Sequence, residues 1–243
     1  STSYKHYCAW TPELKIEGTS VMVCDHFNEF IRMKRPEGTG KYKNIDLEIT
    51  SIRADSGLPV GQSPKSPDGC FDVKCKDSNG YQWEISDSAS SYWADSSDNK
   101  LSETHTVSET SSYILHLCVS PVDNDISEDD IDIDDVKQIT FNGVPIAMGE
   151  YIRGELGASI YITVKLYPVQ VKLPDKTEKW FCLQGQKVNI SAPKVDGKHF
   201  KEWGGTYYTG AGAQSVQFDA PYAEGSSFSV PYSSFPVSIT PYY

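Results

Sequence analysis

Ile160-Tyr161-Ile162-Thr163-Val164-Lys165-Leu166-Tyr167 is the stretch that decides the fold class. Ile160, Ile162, Val164 and Leu166 put four apolar side chains on one face, and Tyr161, Thr163, Lys165 and Tyr167 point the other way. Successive side chains of extended backbone alternate between two faces, so this pattern makes a half-buried strand. Helical periodicity is nearly absent from the chain. The best amphipathic candidate, Phe27 to Lys34, is short and mixed.

Outward from that strand the same period recurs. Tyr113 to Val119 has Tyr113, Leu115, Leu117 and Val119 on one face, while Ile114, His116 and Cys118 make the other only partly polar. A strand of this kind belongs in the middle of a sheet, covered on both sides. Further strands are expected at Val21 to Cys24, Ile45 to Ile52, Phe71 to Cys75, Tyr81 to Ile85, Lys137 to Phe141, Val169 to Leu173, Lys187 to Ile190, Val216 to Phe218, Ser227 to Val230 and Val237 to Thr240. Asn142-Gly143 is the strongest short hairpin signal, because both residues tolerate the positive φ of a type I′ turn. Many short strands at this spacing predict an all-β protein of tandem small domains. The expected division is an N-terminal extension or small β unit at 1–44, a β-sandwich at 45–167 and a smaller β-sheet unit at 168–243. The border falls at Tyr167-Pro168, where one alternating pattern closes and another begins at Val169. The loop Gly57 to Gly69 sits inside the middle region. Trp83, Trp93 and Trp203 are assigned to cores.

The formal charge is −11, and most of it sits in Asp123 to Asp135, which holds seven Asp and Glu128 with no Lys or Arg. There is no basic stripe for phosphates, which argues against nucleic acid as a partner. No apolar run approaches the length that crosses a bilayer, so no direct membrane insertion is expected. Because the chain begins at Ser1 without an apolar leader, any signal peptide or anchor is expected outside it. The six cysteines, Cys8, Cys24, Cys70, Cys75, Cys118 and Cys182, are scattered and form no Cys-x-x-Cys pair. Mostly buried thiols are expected, with Cys8 to Cys24 or Cys70 to Cys75 as the bridges if any form.

In the C-terminal part, Gly185, Val188, Ile190, Ala192 and Pro193 precede Asp196-Gly197-Lys198-His199-Phe200-Lys201-Glu202-Trp203, and the end runs through Phe228-Ser229-Val230-Pro231 and Val237-Ser238-Ile239-Thr240-Pro241-Tyr242-Tyr243. In order and spacing this resembles the bacterial surface-protein repeat related to the Listeria–Bacteroides repeats, a small β-grasp-like unit, over about 168–243. Pro231-Tyr232 departs from that family's usual step. Ile49 to Ile52, Gly57-Leu58-Pro59-Val60-Gly61, Trp93, Leu101, Tyr113 to Leu117 and Ile139 to Gly143 resemble β-sandwich modules of the same exported proteins. The resemblance implies a non-catalytic extracellular segment of a bacterial cell-surface protein, of the kind found in gut bacteria, acting in adhesion, in ligand presentation or as a spacer. Its partner would be a protein or glycan of a host or neighbouring cell. The alternative is a carbohydrate-binding module of an exported glycan-degrading enzyme.

Two sets of residues are candidates for binding. Asp123, Asp125, Ser127, Asp129 and Asp134 copy the spacing of a calcium loop, but its sixth position is Glu128 where the sharp turn needs glycine. A solvated, self-repelling loop is the competing reading. Tyr207, Tyr208, Tyr222 and Tyr232 offer rings that stack on sugars, or serve as ordinary residues of a half-wet sheet. His6, His26, His105, His116 and His199 fall in no paired-ligand spacing, and there is no Gly-x-Ser-x-Gly elbow. No enzyme and no cofactor, calcium apart, is expected.

Overall fold

The computed structural model describes residues 44–76, 82–86, 90–122, 136–147 and 159–243 in full, and the backbone of 13–16, 19–22 and 151–153. Backbone contacts divide the chain into Ser1–Thr39 and Gly40–Tyr243. In the first unit, β1 (Glu13–Ile16) and β2 (Thr19–Met22) form an antiparallel pair. The second unit holds β3 to β17 and one short 3-10 turn at Pro67–Gly69, so the protein is all-β.

Two cores form in the second unit. The first lies between two sheets. One is the mixed sheet of β4 (Phe71–Cys75), β3 (Ile45–Ser51), β8 (Val136–Phe141) and β9 (Val144–Pro145), in which β3 and β8 run parallel. The other is built on β7 (Tyr113–Pro121), which pairs with β5 (Trp83–Ile85) and β6 (Tyr92–Ala94) on one side and β11 (Ile160–Lys172) on the other. Leu47, Ile49, Leu115, Leu117, Phe141 and Leu166 are fully buried between them. Trp83 and Trp93 also belong to this core, as expected. The Gly57–Gly69 loop joins β3 to β4, which pair directly, and it tucks Leu58 into the core.

The second core is covered by the C-terminal half of β11, β12 (Thr177–Leu183), β17 (Val237–Tyr242), β14 (Glu202–Thr209) and β15 (Gly212–Ser215), which belong to the same nine-stranded sheet as β7. Against it lies the ribbon of β13 (Lys187–Ser191) and β16 (Gly225–Ser229), and β10 (Tyr151–Arg153) completes the large sheet beside the N-terminal half of β11. Trp203, Phe228, Val237 and Ile239 fill this core. Phe200 packs on Trp203 with ring centroids 5.6 Å apart, and Trp203 belongs to a core as expected.

The two cores meet along one strand. Ile160, Ile162, Val164 and Leu166 face the first core, whereas Val169 and Val171 face the second. These sets lie on opposite faces of unbroken backbone. Tyr167-Pro168, the sequence border, therefore lies inside a strand, and what changes there is which face is buried. The neighbour changes there too: β7 pairs up to Leu166 and β17 begins at Val169. A residue lacking an N–H is tolerated in a central strand where one neighbour has ended and the next has not begun. β12 is shared in the same way, with Phe181 and Leu183 facing the first core and Cys182 the second.

Other expectations are refined. Asn142 and Gly143 do take φ of 48° and 78° in the β8–β9 hairpin. The Asn142 side chain accepts from Ser51 N–H at 2.8 Å and donates to Ser51 Oγ at 2.9 Å, tying the turn to β3. Val216 to Phe218, by contrast, is not a strand. It is a connector whose apolar side chains close the second core, and Val216 N–H bonds Gly205 O at 3.0 Å. The Cys70 to Cys75 bridge does not form, because Cys70 carries a thiol that donates to Ser66 O at 3.1 Å. Phe27 to Lys34 and Cys8 to Cys24 lie outside the described residues.

Candidate functional site

Three of the exposed rings, Tyr208, Tyr232 and Phe235, lie on or against the loop between β16 and β17. It runs Pro231-Tyr232-Ser233-Ser234-Phe235-Pro236, with a proline at each end fixing φ. Three hydrogen bonds hold it: Ser234 N–H to Tyr208 O at 2.8 Å, Tyr208 N–H to Ser233 Oγ at 3.0 Å and Phe235 N–H to Ser233 Oγ at 3.4 Å. So pinned, the loop stands Phe235 edge-on to Tyr208 at 5.6 Å and Tyr232 edge-on to Tyr167 at 5.8 Å. Phe235 is 61% exposed, Tyr232 51% and Tyr208 40%. Burial raises the Tyr167 phenol above its usual range, with the neighbouring Tyr232 adding to it. Lys165 Nζ lies 5.8 Å from the Tyr167 ring centre.

The four tyrosines singled out in the sequence thus separate. Tyr208 and Tyr232 both meet this loop, Tyr208 beside Phe235 and Tyr232 beside Tyr167. Tyr207, one residue along β14, packs against the second core. Tyr222 is exposed elsewhere, in a turn bonded to Trp203 through Pro221 O and Ala223 O, five residues from Tyr208 along β14. At roughly 3.3 Å per residue, Trp203 and Tyr208 are about 16 Å apart. Phe235 and Tyr167 join these two ring pairs without having been candidates, because only the packing of the loop on β11 and β14 brings them there. Asp123, Asp125, Ser127, Asp129 and Asp134 lie outside the described residues. Among the described residues no group of His, Cys, Asp and Glu is arranged to hold a metal.

A second cluster sits on the first core's outer sheet face. His116 Nε2 is 2.6 Å from Asp98 Oδ1, and its Nδ1 is 3.1 Å from Thr163 Oγ1. A carboxylate only accepts, so Nε2 donates its proton to Asp98, and Nδ1 meets the Thr163 hydroxyl. Tyr92 stacks on the imidazole at 4.6 Å, and Lys100 Nζ lies 4.7 Å from the Tyr92 ring centre. Asp98 belongs to a turn organised by Asp95, whose carboxylate accepts from Ser97 N–H at 2.8 Å and Asn99 N–H at 3.0 Å. Those bonds, Asn99's backbone and side chain first, hold the Asp95 carboxyl below the usual range. The sequence hides this cluster because residues 98, 116 and 163 meet only through β pairing. Its order resembles a supported base facing a hydroxyl, yet it lies on a flat strand face, where it fastens a turn and two strands.

A cavity of about 400 Å³ opens between the 193–200 loop, Glu224 and Tyr243. Lys194, Lys198 and His199 share it with Asp196 and Glu224, so it has no dominant sign. Buried thiols are quiet: burial pushes Cys70 up to about 11 and Cys182 up to about 12, leaving both un-ionised at neutral pH. Among the described residues no helix is long and apolar enough to cross a membrane. Comparison of the chain with protein-family models, with curated proteins and with solved structures gives no match.

Proposed function

We propose that the chain is a non-catalytic extracellular segment of a bacterial surface protein, a β-built spacer that presents loops to a protein or glycan of a neighbouring or host cell. The observation that carries this reading is β11, which serves two cores on opposite faces without a linker between them. A spacer must hold its loops at a distance without folding back. Domains joined by a flexible linker hinge by default, whereas two cores sharing a strand ladder do not. The proposed setting is compatible with Cys70 and Cys182, since thiols that are buried and un-ionised react slowly with oxidants.

Stretching the full chain by its ends tests the spacer. The 40–243 unit is expected to give way in one step that releases its whole length; separate steps for 44–166 and 169–243 would contradict the proposal. Turnover of any ester, peptide or glycoside in a substrate panel would remove the non-catalytic part. The reading as a carbohydrate-binding module of an exported enzyme is favoured by one specific feature, the exposure of the Tyr208, Tyr232 and Phe235 rings.

A further inference from the structure

We infer that Asn142-Gly143 is a latent self-modification site, held as the amide by its contacts in the folded chain and converted to aspartate or isoaspartate when the β8–β9 turn lets go of β3. The chemistry needs only water. The Gly143 backbone nitrogen attacks Asn142 Cγ: an N–Cγ bond forms, the Cγ–Nδ2 bond breaks, and ammonia leaves with the Gly143 amide proton. Water then opens the cyclic imide. Breaking the new N–Cγ bond gives aspartate; breaking the bond from the same nitrogen to the Asn142 backbone carbonyl carbon gives isoaspartate, with a main chain one methylene longer. Glycine hinders the attack least, because it has no Cβ and turns freely about its backbone.

The fold leaves the turn open to water and restrains the side chain that must react. Gly143 is exposed, and a Cβ there would meet nothing within 4 Å. Asn142 Oδ1, by contrast, accepts from Ser51 N–H at 2.8 Å, while Nδ2 donates to Ser51 Oγ at 2.9 Å and to Gln186 Oε1 at 3.5 Å. Asn142 N–H also bonds Ile49 O at 2.8 Å, so the backbone of the turn is fixed to the same strand. With both ends of its amide tied, Asn142 must break these bonds before Cγ can swing onto the Gly143 nitrogen. Gln186 Oε1 also accepts from Leu183 N–H at 3.1 Å, so the amide fastens the β8–β9 turn to the β12–β13 turn as well as to β3. Conversion removes the Nδ2 donor. Isoaspartate further lengthens a two-residue turn whose φ values of 48° and 78° set the β8–β9 register. A chain that stays open long enough to convert does not regain that turn, and the opening is recorded in its covalent structure.

The experiment incubates the full chain in mildly alkaline buffer, natively and in guanidinium, and follows the amide-to-acid mass gain peptide by peptide, with isoaspartyl methyltransferase labelling of the digest. Asn79-Gly80, the other Asn-Gly pair of the chain, shows in guanidinium that the conditions permit the reaction. Asn142 is expected to convert there too, and natively at least about tenfold more slowly, the protection that several hydrogen bonds of ordinary net strength give together. S51A combined with Q186A removes both acceptors of Nδ2 and should raise the native rate at Asn142 about fivefold, with far-UV circular dichroism showing the variant folded. Native conversion of Asn142 as fast as in guanidinium overturns the inference, as does an inert Asn142 in guanidinium where Asn79 converts. A folded S51A/Q186A chain whose native rate is unchanged overturns it too.

Discussion

Gly57 shows how one backbone conformation and one contact fix a loop. Its φ is +87°, and a Cβ there would come within 2.6 Å of Cys70 Sγ and 3.4 Å of the Trp93 ring. G57A therefore combines strain with overpacking and is expected to cost about 2–4 kcal/mol. Gly61 has φ +78° with nothing within 4 Å of the same position, so G61A should cost only about 1 kcal/mol. Denaturant midpoints of the two variants check the difference, and equal losses would mean that Cys70 is not where it is described. Acid sensitivity is also set at this scale. Asp95 is held low by Asn99 and Ser97, Asp55 by its bond to Arg53, and Asp219 by Lys187 and Ser227. Each binds a proton less readily folded than unfolded, so its contribution is complete above the ordinary carboxylate range and is lost as pH falls below it. Thermal midpoints should drop between roughly pH 5 and pH 3, and D95A should flatten part of that fall. Thiol reagent added to native protein should leave Cys70 and Cys182 unlabelled at neutral pH and label both after unfolding; rapid native labelling of either would contradict their burial.

At the scale of elements, the alternation that names a strand is visible wherever one face stays buried. Phe71–Cys75 matches expectation residue for residue, and Ile45, Leu47 and Ile49 line one face of β3 as their spacing suggests. Legibility fails where burial has another cause. In β14, Gly204 and Gly205 break any apolar pattern, yet they are there because Tyr242 and Ile239 press on the backbone: added Cβ atoms would lie 2.4 Å and 2.7 Å from those side chains. β12 escaped notice because Trp180, Phe181, Cys182 and Leu183 are apolar in sequence order and serve two cores by turns. The same sharing makes β11 look like two strands. Of the rings around the 231–236 loop only Tyr208 and Tyr232 were singled out in the sequence, because a chain pattern shows which residues are aromatic but not which rings a loop packs side by side. The shared strand has a consequence for mutation. L166A deletes side chain from the first core and V171A from the second, each by about 2–4 kcal/mol. Both should lower the same transition, and a variant that shifts the signals of one core alone would separate them.

Across the whole 40–243 unit, the account rests on β11 and β12 coupling two cores into one cooperative body. Domains of this size unfold in a single step when their cores share structure, and in separate steps when a linker joins them. The most direct measurement is equilibrium unfolding of the full chain in guanidinium, followed by methyl NMR signals of Leu115 and Leu117 for the first core and of Val188 and Ile239 for the second. Coincident midpoints and slopes at all four residues are predicted. Loss of the Val188 and Ile239 signals at a denaturant concentration where Leu115 and Leu117 keep theirs, or the reverse, would contradict the account.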